Sequence, residues 1–226
     1  MAMIIVAVVV GAAYLVTRSP LLDVDQVRVV GAERSGADAV LQAAGIEVGS
    51  PMTDAPTGPA HDRVAAMPWV ESVQVERRWP GRIEIHVTER VPAAALLGSD
   101  GALYLIDGSG RVLAPFTGEV TEVPVILIGS AAVAPGAAQP GVAAPLAVGR
   151  LLTPDLRAWV EALVPAPDGT VDLMLRQGIR VELGSQAHLS DKLVDIATVL
   201  TRVDLVNIET IDVSVVHNPV VTRKQM

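Results

Sequence analysis

Residues 68–92 read PWVESVQVERRWPGRIEIHVTERVP. Between residues 82 and 89 apolar and polar side chains alternate, which is the two-residue period of a strand with one buried face. The preceding run, residues 69–75, is rich in valine. Pro80-Gly81 separates the two runs and is a typical turn dipeptide. The segment therefore predicts a β-hairpin.

Three elements are predicted before this hairpin. Valines within residues 24–30 indicate a short strand that is closed by a glycine. Residues 37–44 predict a helix with Gly45 at its C-cap position, and residues 61–67 have the composition of a second helix. The order strand, helix, helix, strand, strand is therefore expected for a small domain at residues 24–91.

Residues 92–217 predict a larger antiparallel β domain with flanking helices, so the fold class is α+β. Short apolar runs alternate with turns such as Asp107-Gly108-Ser109-Gly110. A helix is expected after Thr153, a good N-cap that is followed by proline. The inward stripe of that helix would consist of Leu156, Trp159, Val160 and Leu163. A longer helix is expected over about residues 186–203 because its apolar residues recur at spacings of three and four.

Two further segments of the second domain have predicted structures. Fifteen of the 21 residues from Gly129 to Gly149 are glycine, alanine or proline, which predicts a flexible insertion, residues 129–149, that buries little surface. The last predicted element is a strand at residues 211–216, and residues 218–226 are expected to form a C-terminal tail.

The first sixteen residues carry no charged side chain. As a helix they would rise about 24 Å, slightly less than the roughly 30 Å hydrocarbon core of a bilayer. We expect a transmembrane helix at residues 1–17 and a linker at residues 18–23. The residues expected to face lipid are Ile4, Ile5, Val6, Val8, Val9, Val10, Leu15 and Val16.

This apolar segment looks clipped at its amino end and lacks the usual basic flank, which favours a truncated or late-started chain. A cleaved signal peptide is the alternative, although it too would begin with positive charge. No second run of this kind follows, so the rest of the chain is expected on one side of the membrane.

Composition argues against several functions. The 17 basic and 25 acidic residues give a net charge of -8, the wrong sign for a protein that neutralises phosphates, so nucleic acid is an unexpected partner. The absence of cysteine excludes a disulfide framework and a thiolate zinc site. The four histidines are far apart, and no serine-nucleophile or phosphate-binding motif occurs. We therefore expect no cofactor, no metal, no small-molecule substrate and no enzymatic activity.

Several further short runs along the chain contribute, with the hairpin, to one family resemblance. They are Val27-Arg28-Val29-Val30-Gly31, Leu105-Ile106-Asp107-Gly108-Ser109-Gly110-Arg111-Val112, Val123-Pro124 with Ile128-Gly129, Gly178-Ile179 with Leu183-Gly184, and Ile211-Asp212-Val213. Together these residues resemble the FtsQ/DivIB family of bacterial cell-division proteins. Val213-Ser214-Val215 after Asp212 resembles the actinobacterial branch, whereas many members continue with Leu-Arg-Tyr.

The resemblance implies a protein with one transmembrane helix, a POTRA domain of the order predicted above and a larger β domain. It implies a non-enzymatic scaffold of the divisome in the cytoplasmic (inner) membrane, with most of the chain outside the cytoplasm at the division septum. The implied partners are FtsB- and FtsL-type division proteins, recruited or regulated at the C-terminal edge of the β domain, with others possible through the POTRA domain.

An open edge strand offers unpaired N–H and C=O groups to which a partner segment can add itself as a further strand. We expect the predicted strand at residues 211–216 to be this edge. One face would carry Ile211, Val213 and Val215, and the other Asp212, Ser214 and Val216. From the residues alone an interior strand is the alternative, and the resemblance favours the edge.

Two other features have competing interpretations. Trp69, Trp79 and the charges of the hairpin are interpreted as structural, with Trp69 in the small core and opposite charges paired across the strands. Recognition of a partner by this surface is the alternative. For the whole protein, the alternatives are a membrane-anchored cell-wall hydrolase or transpeptidase and a POTRA-type chaperone for outer-membrane insertion.

Overall fold

The computed structural model describes residues 3–7, 22–118, 123–128 and 133–224. The chain divides into two compact units, Met1–Arg90 and Val91–Met226. Helices and strands occur in both units, which confirms the α+β class.

The first unit has the predicted order of elements. They are β1 (Gln26–Val30), α1 (Ala37–Ala44), α2 (Thr57–Ala65), β2 (Val70–Arg78) and β3 (Arg82–Glu89). The sheet order is β1-β3-β2, with β1 parallel to β3 and β2 antiparallel to it. The predicted hairpin is confirmed, since Arg78 pairs with Arg82 across its turn.

Alternation along β3 builds the core of the first unit. Ile83, Ile85 and Val87 are buried, and they pack in one cluster with Val40 of α1 and Val64 of α2. Their neighbours on β3 face the other side of the sheet. Helix α2 begins four residues before the predicted position because proline is tolerated in the first helical turn, where its missing N–H would have no helical partner.

The second unit contains nine strands and three helices among the described residues. They are β4 (Pro92–Leu97), β5 (Leu103–Asp107), β6 (Val112–Pro115), β7 (Val125–Ile126), α3 (Ala143–Leu151), α4 (Pro154–Trp159), β8 (Val160–Pro165), β9 (Val171–Leu175), β10 (Arg180–Glu182), α5 (Leu189–Arg202), β11 (Ile208–Asp212) and β12 (Val220–Arg223). The strands form one sheet in the order β12-β11-β10-β9-β8-β7-β4-β5-β6. Three pairings are parallel, so the sheet is mixed rather than purely antiparallel as predicted.

The longer predicted helix is confirmed as α5. Its inward residues include Leu193, Ile196 and Val199, which belong to the same buried cluster as Leu173 of β9 and Ile211 of β11. Burial of this apolar stripe against the sheet is the main stabilisation that such a helix receives.

The helix after Thr153 is shorter than predicted. The Thr153 hydroxyl accepts a 3.3 Å hydrogen bond from the Leu156 N–H, which confirms the N-cap. The helix ends at Trp159, and the prediction that Val160 and Leu163 continue it is wrong because both lie in β8. This strand pairs with β7 and β9, so pairing inside the sheet outweighs the local helical spacing.

The prediction of a flexible insertion from Gly129 to Gly149 is wrong for much of its length. Residues 143–149 lie in α3, and Leu146 and Val148 are buried in the core. Alanine is the best helix former, so an alanine-rich composition is compatible with a packed helix. Residues 129–132 lie outside the described residues.

At the amino terminus the structure describes residues 3–7, which are helical, with Ile4, Ile5 and Val6 exposed. The other residues predicted to face lipid, Val8, Val9, Val10, Leu15 and Val16, lie outside the described part of the chain. Among the described residues, no helix has the length and apolar character required to cross a membrane.

Candidate functional site: the C-terminal edge of the large sheet

Strand β12 is the edge of the nine-stranded sheet. Among the described strands it pairs with β11 alone, in antiparallel register, with Val221 opposite Ile211 and Val220 opposite Asp212. Strand β11 in turn pairs with β10 in parallel, with Ile211 beside Val181. Strand β11 is therefore an interior strand, and the open edge belongs to the strand that follows it.

The prediction of an edge strand at residues 211–216 is wrong in two respects. The strand ends at Asp212, and neighbouring strands flank it on both sides. The Val213 N–H still donates a 3.0 Å hydrogen bond to the Glu182 carbonyl, which continues the pairing with β10 for one residue. Ile211 and Val213 are fully buried, as their apolar side chains require in the interior of a sheet.

The chain bends away from the sheet after Val213. The Asp212 carboxylate accepts a 2.8 Å hydrogen bond from the Ser214 N–H. Hydrogen bonds from the hydroxyl and N–H of Ser214 lower the pKa of Asp212 against the opposing effect of burial, and the positive charge of Lys192 contributes. Beyond the bend Val215 is exposed, so Ile211, Val213 and Val215 do not share one face as predicted.

Three hydrogen bonds fasten β12 beyond its pairing with β11. The Arg223 guanidinium donates to the Val206 carbonyl at 2.7 Å and to the Asp204 carbonyl at 3.2 Å. The Lys224 N–H donates to the Asn207 carbonyl at 2.8 Å. The C-terminal end of β12 is therefore held by the segment that precedes β11.

The direction of the Lys224 N–H fixes which backbone groups of β12 face the open side. Successive residues of a strand present their N–H and C=O groups to opposite neighbours. Because Lys224 faces β11, Thr222 and Val220 face β11 as well, and Val221 and Arg223 face outward. The N–H of Val213, which faces β10, gives the same alternation on β11. Val220 also exposes its side chain at this edge.

Sequence reasoning missed β12 by assigning residues 218–226 to a tail. A signal was present, since Asn218-Pro219 is a turn dipeptide and Val220-Val221-Thr222 is a run of three β-branched residues. The run was too short to be distinguished from a tail without knowledge of the strand beside it.

Two charged side chains of helix α5 bind neighbouring segments of the chain, one after β10 and the other between β11 and β12. Lys192 is fully buried, and its ammonium donates to the carbonyls of Leu183 at 2.9 Å and Ser185 at 2.7 Å. Three residues later, the Asp195 carboxylate accepts a 2.7 Å hydrogen bond from the His217 N–H. Residues three apart lie on the same face of a helix, so one face of α5 carries both charges.

The opposite edge of the sheet is partly covered. Strand β6 exchanges hydrogen bonds of 2.8 Å with the segment after β7, from the Val112 N–H to the Ala137 carbonyl and from the Gly136 N–H to the Val112 carbonyl. Of the two edges, β12 therefore presents the more open backbone within the described residues.

The residues singled out in the first unit make structural contacts. Trp69 is half-buried rather than part of the core, and the Arg34 guanidinium lies 5.3 Å from its ring centroid. Arg78 forms an ion pair with Glu84 of β3 at 3.2 Å, as predicted for opposite charges on paired strands, and a second one at 2.6 Å with Glu76 of its own strand. Trp79 is exposed at the tip of the hairpin.

The Glu89 carboxylate anchors the loop between β1 and α1. It accepts hydrogen bonds from the Arg34 N–H at 2.9 Å, the Ser35 N–H at 2.6 Å and the Ser35 hydroxyl at 2.7 Å. Burial alone would raise the pKa of Glu89, but the hydrogen bonds from Ser35 and Arg34 outweigh it and lower the pKa.

A cleft of about 830 Å³ lies in the second unit between the start of α3 and the β8–β9 turn. Its lining consists of apolar side chains and backbone, two glutamines (Gln139 and Gln186) and the Thr170 hydroxyl. Among the described residues that line this cleft there is no acid, base or histidine.

Together the two units define a class of protein: a POTRA-type domain followed by a β domain with an open C-terminal strand. The family model "POTRA domain, FtsQ-type" matches residues 22–90, and the model "Cell division protein FtsQ/DivIB, C-terminal" matches residues 95–214. The chain belongs to the FtsQ/DivIB family of bacterial cell-division proteins. The resemblance inferred from the sequence is thereby confirmed.

Individual proteins similar to this chain agree with the family assignment. A "Cell division protein FtsQ" from Corynebacterium glutamicum is 32% identical over 189 residues, which cover 81% of each chain. One from Mycobacterium leprae is 31% identical over 85% of this chain and 54% of its own length, and one from Mycobacteroides abscessus is 29% identical over 86% and 61%. The chain thus spans less than two thirds of the two mycobacterial relatives.

Proposed function

We propose that the chain is a non-enzymatic scaffold of the divisome that recruits or regulates FtsB- and FtsL-type division proteins by strand addition at β12. Family membership supports the role in division. The position of β12 at the end of the sheet order is the observation on which the proposed mode of binding rests.

Strand addition at β12 uses the outward backbone groups of Val221 and Arg223. A partner segment would pair with these groups as a tenth strand, with affinity from main-chain hydrogen bonds and specificity from side chains. The exposed side chain of Val220 gives such a partner an apolar contact.

Residues 211–216 take a supporting part in this proposal. Ile211 and Val213 anchor β11 in the core, and the Asp212–Ser214 contact starts the bend that leads towards β12. Ser214 and Val215 are the exposed members of this group, which a partner could contact directly.

We further propose that the apolar segment at residues 1–16 anchors the protein in the cytoplasmic membrane, with the two units outside the cytoplasm at the septum. The uncharged, strongly apolar character of this segment supports anchoring.

Site-specific photo-crosslinking in living cells tests the docking site. A photo-reactive amino acid at position 220, whose side chain is exposed at the edge, should trap an FtsB- or FtsL-type protein, whereas the same group at position 114 in β6, on the opposite edge, should not. Trapping from position 114 with none from β12 would contradict the proposed site. An assay of peptidoglycan turnover by the purified chain tests the non-enzymatic role, and measurable turnover would contradict it.

A further inference from the structure

The chain enters the first unit at a fixed place. The Leu22 carbonyl accepts a 2.9 Å hydrogen bond from the Met52 N–H, and the Val24 N–H donates at 2.8 Å to the Ser50 carbonyl. On the other side, the Asp25 N–H donates at 2.7 Å to the Gly81 carbonyl in the hairpin turn. Residues 22–25 therefore run between the loop that precedes α2 and the tip of the β2–β3 hairpin.

Exposed apolar side chains lie on both sides of this entering chain. In residues 22–90 the large exposed apolar residues are Val30, Val48 and Trp79, at 41%, 64% and 55% exposure. Val48 adjoins Gly49, whose N–H donates at 2.8 Å to the Val24 carbonyl. Trp79 lines a small cavity together with Asp25 and Gly81. Val48 and Trp79 form what we call the proximal surface.

Val30 lies away from the proximal surface. It is the last residue of β1, whereas Gln26 at the start of β1 donates its N–H to the Gly81 carbonyl at 3.1 Å. Four residues of strand separate the two positions, a distance of about 13 Å. Two of the three exposed apolar residues thus cluster where the chain enters, and the third provides an internal comparison.

The sequence places this surface close to the apolar segment. Six peptide steps lead from Val16 to Leu22, and they span at most about 20 Å when fully extended. A short tether keeps the local concentration of the tethered surface high, so a weak affinity for the bilayer is enough to hold it there. Tryptophan is the side chain most typical of the membrane–water interface, where its ring is buried and its N–H stays hydrated.

The charges near the proximal surface do not favour an anionic ligand. Of the two arginines in the cavity beside Trp79, Arg78 is paired with Glu76 and Glu84, and Arg82 lies 3.9 Å from Glu84. Asp25 lies in the same cavity as Trp79. Insertion of the apolar side chains of Val48 and Trp79 among lipid headgroups therefore fits this surface better than attraction to anionic lipid does.

We propose that the proximal surface, Val48 and Trp79, rests in the headgroup region of the bilayer, so that the first unit is docked on the membrane and not only tethered to it. This inference rests on the proposed membrane anchor. Docking would restrict the orientation of the first unit relative to the bilayer.

Fluorescence quenching by lipid tests the inference on the whole chain. The protein contains no cysteine, so Val48→Cys and Val30→Cys each provide one labelling site for an environment-sensitive dye. The labelled chains are reconstituted in phosphatidylcholine vesicles with and without brominated acyl chains. The dye at position 48 should lose fluorescence in the brominated vesicles and the dye at position 30 should not. Adding Trp79→Gln should reduce the loss at position 48.

Flotation of the vesicles distinguishes failure of the membrane anchor from failure of the docking inference. If the chain floats with the vesicles and position 48 is quenched no more than position 30, the docking inference is overturned while the anchor stands. If the chain does not float with the vesicles, the anchor and the docking inference both fail. Equal quenching at position 48 with and without Trp79→Gln would remove the tryptophan from the docking surface and overturn the inference as stated.

Discussion

The carboxylate of Asp195 accepts a 2.7 Å hydrogen bond from the backbone N–H of His217, which lies 22 residues further along the chain. Asp195 belongs to the helix that covers the sheet, and His217 belongs to the turn that leads into the edge strand. The helix thereby fixes the direction in which the chain leaves β11, and so the position at which β12 pairs.

The first prediction concerns this contact. Asp195→Ala removes the acceptor of the His217 N–H, and a single hydrogen bond to a charged group is worth about 1.5–3 kcal/mol. We expect amide hydrogen exchange to accelerate at residues 217–224, while the amides of Ile196 and Val199 in α5 keep their protection. Asp191→Ala, on an exposed position of the same helix, is the matched control and should leave both regions unchanged. Acceleration spread evenly over the second unit would refute a local role.

The second prediction concerns the buried ammonium of Lys192. Lys192→Met keeps the length of the side chain but leaves the carbonyls of Leu183 and Ser185 without their donor. Each buried group left unpaired costs about 1–3 kcal/mol, so the loss of the donor to both carbonyls should lower the free energy of unfolding of the second unit by about 2–6 kcal/mol. Urea denaturation followed by circular dichroism measures this. An unchanged midpoint would mean that water replaces the ammonium.

The third prediction concerns the pH dependence of the first unit. The pKa of Glu89 is lowered from its ordinary value of 4.5, so the folded state prefers the charged carboxylate. Its contribution is present above pH 4.5, where the unfolded state is also ionised, and is lost as the pH falls through the lowered folded-state pKa.

Glu89→Gln should therefore lower the stability of the first unit by about 1–2 kcal/mol at neutral pH and by less in acid. Denaturation at pH 7 and at pH 3 measures the difference between the two proteins. The same difference at both pH values would contradict the role of the charge. Glu71, an exposed residue of β2, provides the control substitution Glu71→Gln.

The sequence predicts the first unit better than the second for a physical reason. Its hairpin is local, because alternation in β3 and a turn at Pro80-Gly81 specify both strands and their register. In the second unit, the fate of Val160 depends on β7 and β9, which are distant in sequence. Periodicity in a short window cannot detect such partners.

The candidate site illustrates the same limit. The β-branched residues around Ile211 correctly indicate a strand near the C-terminus, but no local pattern tells an interior strand from an edge. That property depends on whether the next run, Val220–Arg223, returns to pair with β11. Pairing of β11 with β10 on one side and with β12 on the other is the mark of an interior strand, and it becomes visible only in the folded sheet.

The last prediction separates backbone recognition from side-chain recognition at β12. Val221→Pro removes an outward N–H and leaves the pairing with β11 intact, which is the arrangement in which edge strands tolerate proline. Val221→Ala keeps the N–H and removes most of the side chain. If a partner adds as a strand, Val221→Pro should abolish capture of the FtsB- or FtsL-type protein in a pull-down, whereas Val221→Ala should retain it.

Thr222→Pro completes the set, because the N–H of Thr222 faces β11. It should weaken partner capture and also accelerate hydrogen exchange in β11, whereas Val221→Pro should leave that exchange unchanged. Equal capture by the wild-type chain and Val221→Pro, with the strand still protected, would exclude main-chain pairing at this residue. Loss of capture by Val221→Ala alone would indicate instead that capture depends on the valine side chain, which packs against the core of the second unit, since that variant keeps every backbone donor of the edge.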